Sequence, residues 1–184
     1  MNLNEWYERG IPSDKYIASL AYHKDNFLHV YHHFTPYGSD DFFEAVKEKR
    51  LRVIVISEIW CGHCMLNIPI LLRLAEKTNM NIRFIARDEN IELMDKYLTN
   101  GKRIIPIFIF IDENGKEVAT WGPVAESTKQ HVAQYQQQLP PKDAPDYEEK
   151  FKQFIKQVTK AFREETDIWN GTYESMKQTI EQIK

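Results

Sequence analysis

Cysteine chemistry depends strongly on its neighbours, and this chain of 184 residues holds only two cysteines, both in the run Cys61-Gly62-His63-Cys64. A disulfide closing so short a loop removes little chain entropy and staples a fold weakly. The spacing suits reversible oxidation instead: one thiolate attacks a foreign disulfide and the second thiol displaces the bound partner. The competing structural readings are two buried apolar cysteines or half of a zinc site. A zinc ribbon needs a second cysteine pair, which this sequence does not contain.

Such a pair must be held by regular elements. Arg52 to Ser57 (RVIVIS) is a β-branched run without polar alternation, the pattern of a central strand covered on both faces. From Gly62 onward Met65, Ile68, Leu71, Leu72 and Ala75 recur at three- and four-residue steps, which predicts an amphipathic helix with the cysteines at its N-terminus. Pro69 lies inside it and predicts a kink. Asn81 to Ala86 reads as a second strand, and Glu89 to Leu98 as a short helix ended by Asn100-Gly101. Ile105 to Asp112, with Pro106 at its start, reads as a third strand. The hairpin signal Glu113-Asn114-Gly115 leads into Lys116 to Trp121, Gly122-Pro123 breaks the sheet, and Glu126 to Gln138 closes the series as a helix. The predicted order is β, α, β, α, β, β, α, with a central mixed sheet of about four strands.

Two flanks lie outside this core. In residues 1–50 Tyr16, Ile17, Leu20, then Phe27, Leu28, Tyr31, Phe34, then Phe42, Phe43, Val46 recur at helical steps, predicting two or three helices. In residues 139–184 Asp146 is placed to cap a helix, with Glu149 at the third position. That helix carries Phe151, Phe154, Val158 and Phe162 and continues past Gly171 to Ile183. The expected organisation is a single domain: a helical extension over 1–50, a core over 51–138 and a second helical extension over 139–184. The three phenylalanines are expected to pack on the domain. His29, His32 and His33 share a helix face, and no metal role is assigned to them.

Composition narrows the function classes. With 42% hydrophobic and 28% charged residues the chain has ordinary globular composition. Its longest apolar stretch, Ile104 to Ile111, has eight residues, against roughly 20 needed to span a bilayer. Lys plus Arg number 24 and Asp plus Glu 27, for a net charge of -3 and a pI near 6.1. That balance argues against nucleic acid or anionic membrane as the partner. The first residues, MNLNEWYERG, offer neither a basic nor an apolar leader region, so a reducing, cytoplasmic setting is expected.

The run Trp60-Cys61-Gly62-His63-Cys64, Pro69 in the following helix, Ile105-Pro106 opening a strand, the Glu113-Asn114-Gly115 hairpin and Trp121-Gly122 resemble the thioredoxin family in order and spacing over roughly residues 51–138. The resemblance implies an α/β thioredoxin-like fold, a mixed sheet flanked by helices, here with helical extensions at both ends. It also implies that Pro106 is a cis-proline near the cysteines, and that Trp60, Gly62, Ile105 and Pro106 line the groove for an extended substrate segment. The pair Gly62-His63 looks like that of protein disulfide isomerases. One position departs from the family: where thioredoxins usually carry a buried acid, six residues before the first cysteine, this chain has Val55. Glu58, His63 or a water is left to take the proton of the second thiol.

At the helix N-terminus Cys61 faces unsatisfied backbone N–H groups and the positive end of the helix dipole, which favour its thiolate; Cys61 is the expected nucleophile. Cys64, one turn deeper, is the expected resolving thiol. A protonated His63 would further stabilise the Cys61 thiolate. The expected function is thiol-disulfide oxidoreduction, contributing to cell redox homeostasis by reducing or exchanging disulfides of proteins or low-molecular-weight thiols. No cofactor or metal is expected. Electrons would come from a separate reductase or from small thiols, and the chain is expected to be a monomer. The alternative is a non-enzymatic binding module of the same fold with vestigial cysteines.

Overall fold

The run Arg52–Ser57 forms the centre of a five-stranded sheet, and its apolar side chains are sealed on both faces, with Val53, Ile54, Val55 and Ile56 all fully buried. The computed structural model describes residues 2–184. In chain order these form α1 (Leu3–Arg9), β1 (Ile11–Pro12), α2 (Ser13–Ser19), α3 (Lys24–His33), α4 (Asp40–Glu48), β2 (Arg52–Ser57), α5 (Cys64–Thr78) and β3 (Asn81–Ala86). They continue through α6 (Ile91–Met94), β4 (Ile107–Ile111), β5 (Glu117–Trp121), α7 (Glu126–Gln136), α8 (Tyr147–Glu164) and α9 (Thr166–Glu181).

The sheet order is β1-β3-β2-β4-β5. β2 runs parallel to β3, placing Val55 beside Phe84, and antiparallel to β4, placing Val55 beside Phe108. β5 returns antiparallel beside β4. Because both neighbours of β2 are apolar runs, each buried Ile or Phe there contributes about 1.5–3 kcal/mol of hydrophobic stabilisation. The expected mixed sheet flanked by helices is present, and the strands over 52–57 and 81–86 have the expected bounds.

Several elements differ from the sequence reading. The sheet has a fifth strand, because Ile11 and Pro12 pair antiparallel with Phe84 and Arg83. Two residues carry no alternation, and a proline is tolerated at a sheet edge, so nothing local marks this strand. The N-terminal flank holds four helices where two or three were expected. The expected continuous C-terminal helix is a hairpin: Glu165 is extended between α8 and α9, and its carboxylate accepts from Tyr135 at 2.9 Å and pairs with His131 at 2.7 Å, both on α7. Asp146 makes no side-chain capping bond. Phe162 is buried as expected, but Phe151 is exposed and Phe154 only half-covered, since the N-terminal half of α8 projects beyond the elements it packs on.

α5 runs unbroken through Pro69 and is buried along most of its length. It is packed against α3, α4 and α9. α1 and α2 lie against the β3 side of the sheet, so the N-terminal extension is part of one continuous core. Among the described residues no helix is long and apolar enough to cross a membrane.

Candidate active site

β2 ends at the buried Ser57, and the chain turns through Glu58 to His63 before α5 begins at Cys64. Helix α5 starts two residues later than the sequence suggested, so Cys61 sits in the turn, its amide donating to the Glu58 carbonyl at 3.2 Å. From there its sulfur accepts the Cys64 amide at 3.3 Å, the role a polar side chain plays at a helix start. Cys61 retains slight exposure and Cys64 less; neither is in a disulfide.

The two thiols differ in their surroundings. Hydrogen bonding from Cys64 holds the Cys61 thiol below its ordinary pKa, helped by the Cys64 and His63 amides and by the charge of Arg87, against the opposing effect of burial. Burial pushes the Cys64 thiol well up, and the neighbouring Cys61 sulfur adds to the rise. The arrangement can therefore ionise one sulfur and keep its neighbour protonated.

Trp60 and Gly62 are exposed at the rim, and the Arg87 guanidinium lies 4.9 Å over the Trp60 ring. Ile105 and Pro106 are joined by a cis peptide bond, and the Cys61 thiol donates to the Ile105 carbonyl at 3.6 Å. Trp60 and Gly62 flank Cys61 in the chain, and the Ile105-Pro106 segment meets it through the Ile105 carbonyl. His63 differs from the sequence reading in its electrostatics: it packs against Phe162 of α8, ring centroids 5.8 Å apart, and desolvation lowers its pKa, disfavouring the imidazolium.

Sequence reasoning missed the braces of this site. Gly122, with φ +125°, passes so close to the Pro106 carbonyl that any side chain there would collide with it. The next residue, Pro123, accepts at its carbonyl from the buried Asn67 of α5 at 3.0 Å. Helix α5, the 122–123 turn and the 105–106 segment therefore hold one another. It also missed the place of Tyr16, which reaches the cysteines from α2; helical spacing marked it only as a packing position. Val55 is fully buried between Phe84 and Phe108, and no carboxylate takes the place of its side chain. A larger cleft of about 560 Å3, lined by Tyr7, Ile17, Glu76 and Arg83 among others, shares no residue with the cysteine site. His29 and His33 stack on each other at 4.1 Å.

Two solved structures share the fold at 15% sequence identity. One is a protein of unknown function from Pseudomonas aeruginosa, with a TM-score of 0.61, covering 88% of this chain and 95% of that one. The other is an HIV epitope-scaffold, with a TM-score of 0.65, covering 98% of each chain. No curated protein matches the sequence. The sequence profile of the thioredoxin family matches residues 10–137, starting before β1 and ending after α7. With a mixed sheet and a cysteine pair at the junction of β2 and α5, the chain belongs to the thioredoxin family.

Proposed function

We propose that the protein is a thiol-disulfide oxidoreductase acting on disulfides of proteins or low-molecular-weight thiols in the cytoplasm. The observation that carries this reading is the asymmetry of the pair: Cys61 accepts an amide N–H and is held below the ordinary thiol pKa, while Cys64 is buried and held above it. In the reducing direction the Cys61 thiolate attacks one sulfur of the substrate disulfide, forming a mixed disulfide and expelling the other sulfur as a thiolate. Cys64 then loses its proton and attacks the Cys61 sulfur. The second substrate thiolate leaves, and two electrons have passed from the cysteine pair to the substrate. A separate reductase or small thiols return the electrons. Trp60, Gly62, Ile105 and Pro106 position the substrate segment beside Cys61, and His63, neutral, contributes shape rather than charge.

The test is the reduction potential of the Cys61–Cys64 pair, measured by equilibration with glutathione buffers and trapping of free thiols. A value near roughly -270 mV supports a reductant, and one near about -200 mV or higher supports an oxidising or exchange role. If no disulfide forms in any buffer, the redox reading is overturned. The buried Val55, where the family usually has an acid, favours the second reading, a docking module with inert cysteines. Replacing Cys61 by serine separates the two, since an oxidoreductase loses turnover and a docking module keeps its partner.

A further inference from the structure

Tyr16 is 4% exposed, and its hydroxyl is sealed from solvent without a hydrogen-bond partner. A buried, unpaired donor is costly and rare in folded proteins, so its retention calls for an explanation. The ring cannot turn away: it stacks on Phe84 at 4.0 Å between centroids, nearly parallel, and leans against Phe27 at 6.4 Å. Tyr16, Glu58, Cys61 and Cys64 line one small cavity of about 10 Å3, with Tyr22 and His23 also in its wall. That volume is about one water, and Tyr16, Glu58 and both cysteines contribute to the wall around it.

The resolving thiol needs help of this kind. Cys64 is buried, the position of the usual acid is held by Val55, and His63 is held neutral against Phe162. Glu58 has one carboxylate oxygen fixed by the Asp88 amide at 2.8 Å, and the residue is half-exposed, so a proton it receives can pass to solvent.

We infer that Tyr16 is the positioning residue of the resolving step: its hydroxyl donates, through the cavity, to the Cys64 sulfur as that sulfur becomes a thiolate, while the Glu58 carboxylate takes the proton. The inference rests on the oxidoreductase reading. The step balances as follows: the Cys64 S–H bond breaks and its proton goes to Glu58. The Cys64 thiolate bonds to the Cys61 sulfur, and the bond from Cys61 to substrate breaks with its electron pair leaving on the substrate thiolate. Tyr16 stays protonated throughout, since burial raises its pKa and the neighbouring cysteines and Glu58 add to the rise, outweighing the opposing effect of the nearby Ser57 hydroxyl. It acts by stabilising the charged form of another group.

The experiment mixes reduced full-length protein with dithiobis(nitrobenzoate) and follows release of the coloured thiolate. The first release reports attack by Cys61, and the second reports resolution by Cys64. Tyr16→Phe keeps the ring and its stacking. The expected result is an unchanged first release, a second release slowed about tenfold, and a midpoint of its pH profile raised by about one unit. Tyr22, His23 and Glu58 in the cavity wall, with Arg87 and His63 beside Cys61, are the same in both proteins, so the difference between the profiles isolates Tyr16. Glu58→Gln is expected to slow the same release selectively, and it decides the matter if Tyr16→Phe does not fold. A second release unchanged in rate and midpoint in either variant overturns the inference while leaving the oxidoreductase reading intact. If the wild-type protein releases no coloured thiolate, the oxidoreductase reading itself falls.

Discussion

The sulfur of Cys61 and the carbonyl oxygen of Ile105 lie 3.6 Å apart although 44 positions separate them in the chain. That carbonyl faces the thiol from one side and the Cys64 amide from another, so the nucleophile has a fixed orientation before any substrate arrives. A preset geometry removes part of the entropic barrier to attack.

Alkylation should see one thiol only. With iodoacetamide under native conditions, the reduced protein is expected to take a single label at Cys61, with a pH midpoint below the ordinary thiol value of about 8.5. Cys61→Ser should abolish fast labelling. Arg87→Gln removes a positive charge that favours the Cys61 thiolate and should raise that midpoint by about half a unit or less, since part of the charge is already met by Asp88 at 2.8 Å. Labelling of Cys64 at a comparable rate in the wild-type protein would contradict the assigned roles.

Acidification should destabilise the fold through His63. Its folded pKa is depressed by desolvation, so the unfolded chain binds a proton first as pH falls below about 6.5. Stability from this group is full above that value and declines toward the lower folded pKa, by at most about 1.4 kcal/mol per pH unit. Urea unfolding of wild type and His63→Gln between neutral and mildly acid pH measures it. The substituted protein should show the shallower dependence.

The burial of His63 traces in part to α8. Phe162 is buried and lies 5.8 Å from the imidazole. Phe162→Ala is expected to cost about 3 kcal/mol in chemical denaturation. By admitting water to His63 it should also return the histidine pKa toward its ordinary value, a shift that NMR titration of the imidazole reads directly.

Gly122 gives a backbone test of the same site. A side chain there would meet the Pro106 carbonyl, and its φ of +125° disfavours any residue with a Cβ. Gly122→Ala should destabilise by about 2–4 kcal/mol, combining strain and overpacking. In whatever fraction stays folded, Cys61 should be alkylated with an altered pH midpoint, because the 105–106 segment has been displaced. Thermal unfolding and the labelling assay report the two effects separately.

The strands over 52–57 and 81–86 were legible because Val53 to Ile56 is an unbroken apolar run and Ile82, Phe84 and Ile85 stand around the single polar Arg83, short β-branched and aromatic segments that favour a buried strand. The cysteine pair was legible because two thiols at this spacing after a buried strand have few other uses. β1 was not, since two residues define no period and pairing with β3 makes them a strand. The break at Glu165 was hidden for a similar reason: the periodicity of Phe162 and of Trp169 with Tyr173 runs on either side, and the contacts that hold the break come from α7.

The sequence by itself determined the class of fold, the order of the elements from β2 to α7 and the place of two cysteines at a strand-to-helix junction, because hydrophobic period and turn residues act over a few neighbours. Tertiary structure alone decided what those cysteines meet: the Ile105 carbonyl beside Cys61, the Phe162 ring on His63, and the Tyr16 phenol in the cavity with Cys64. Periodicity states that a side chain is buried without stating against what. The pKa of a thiol or an imidazole depends on that second fact.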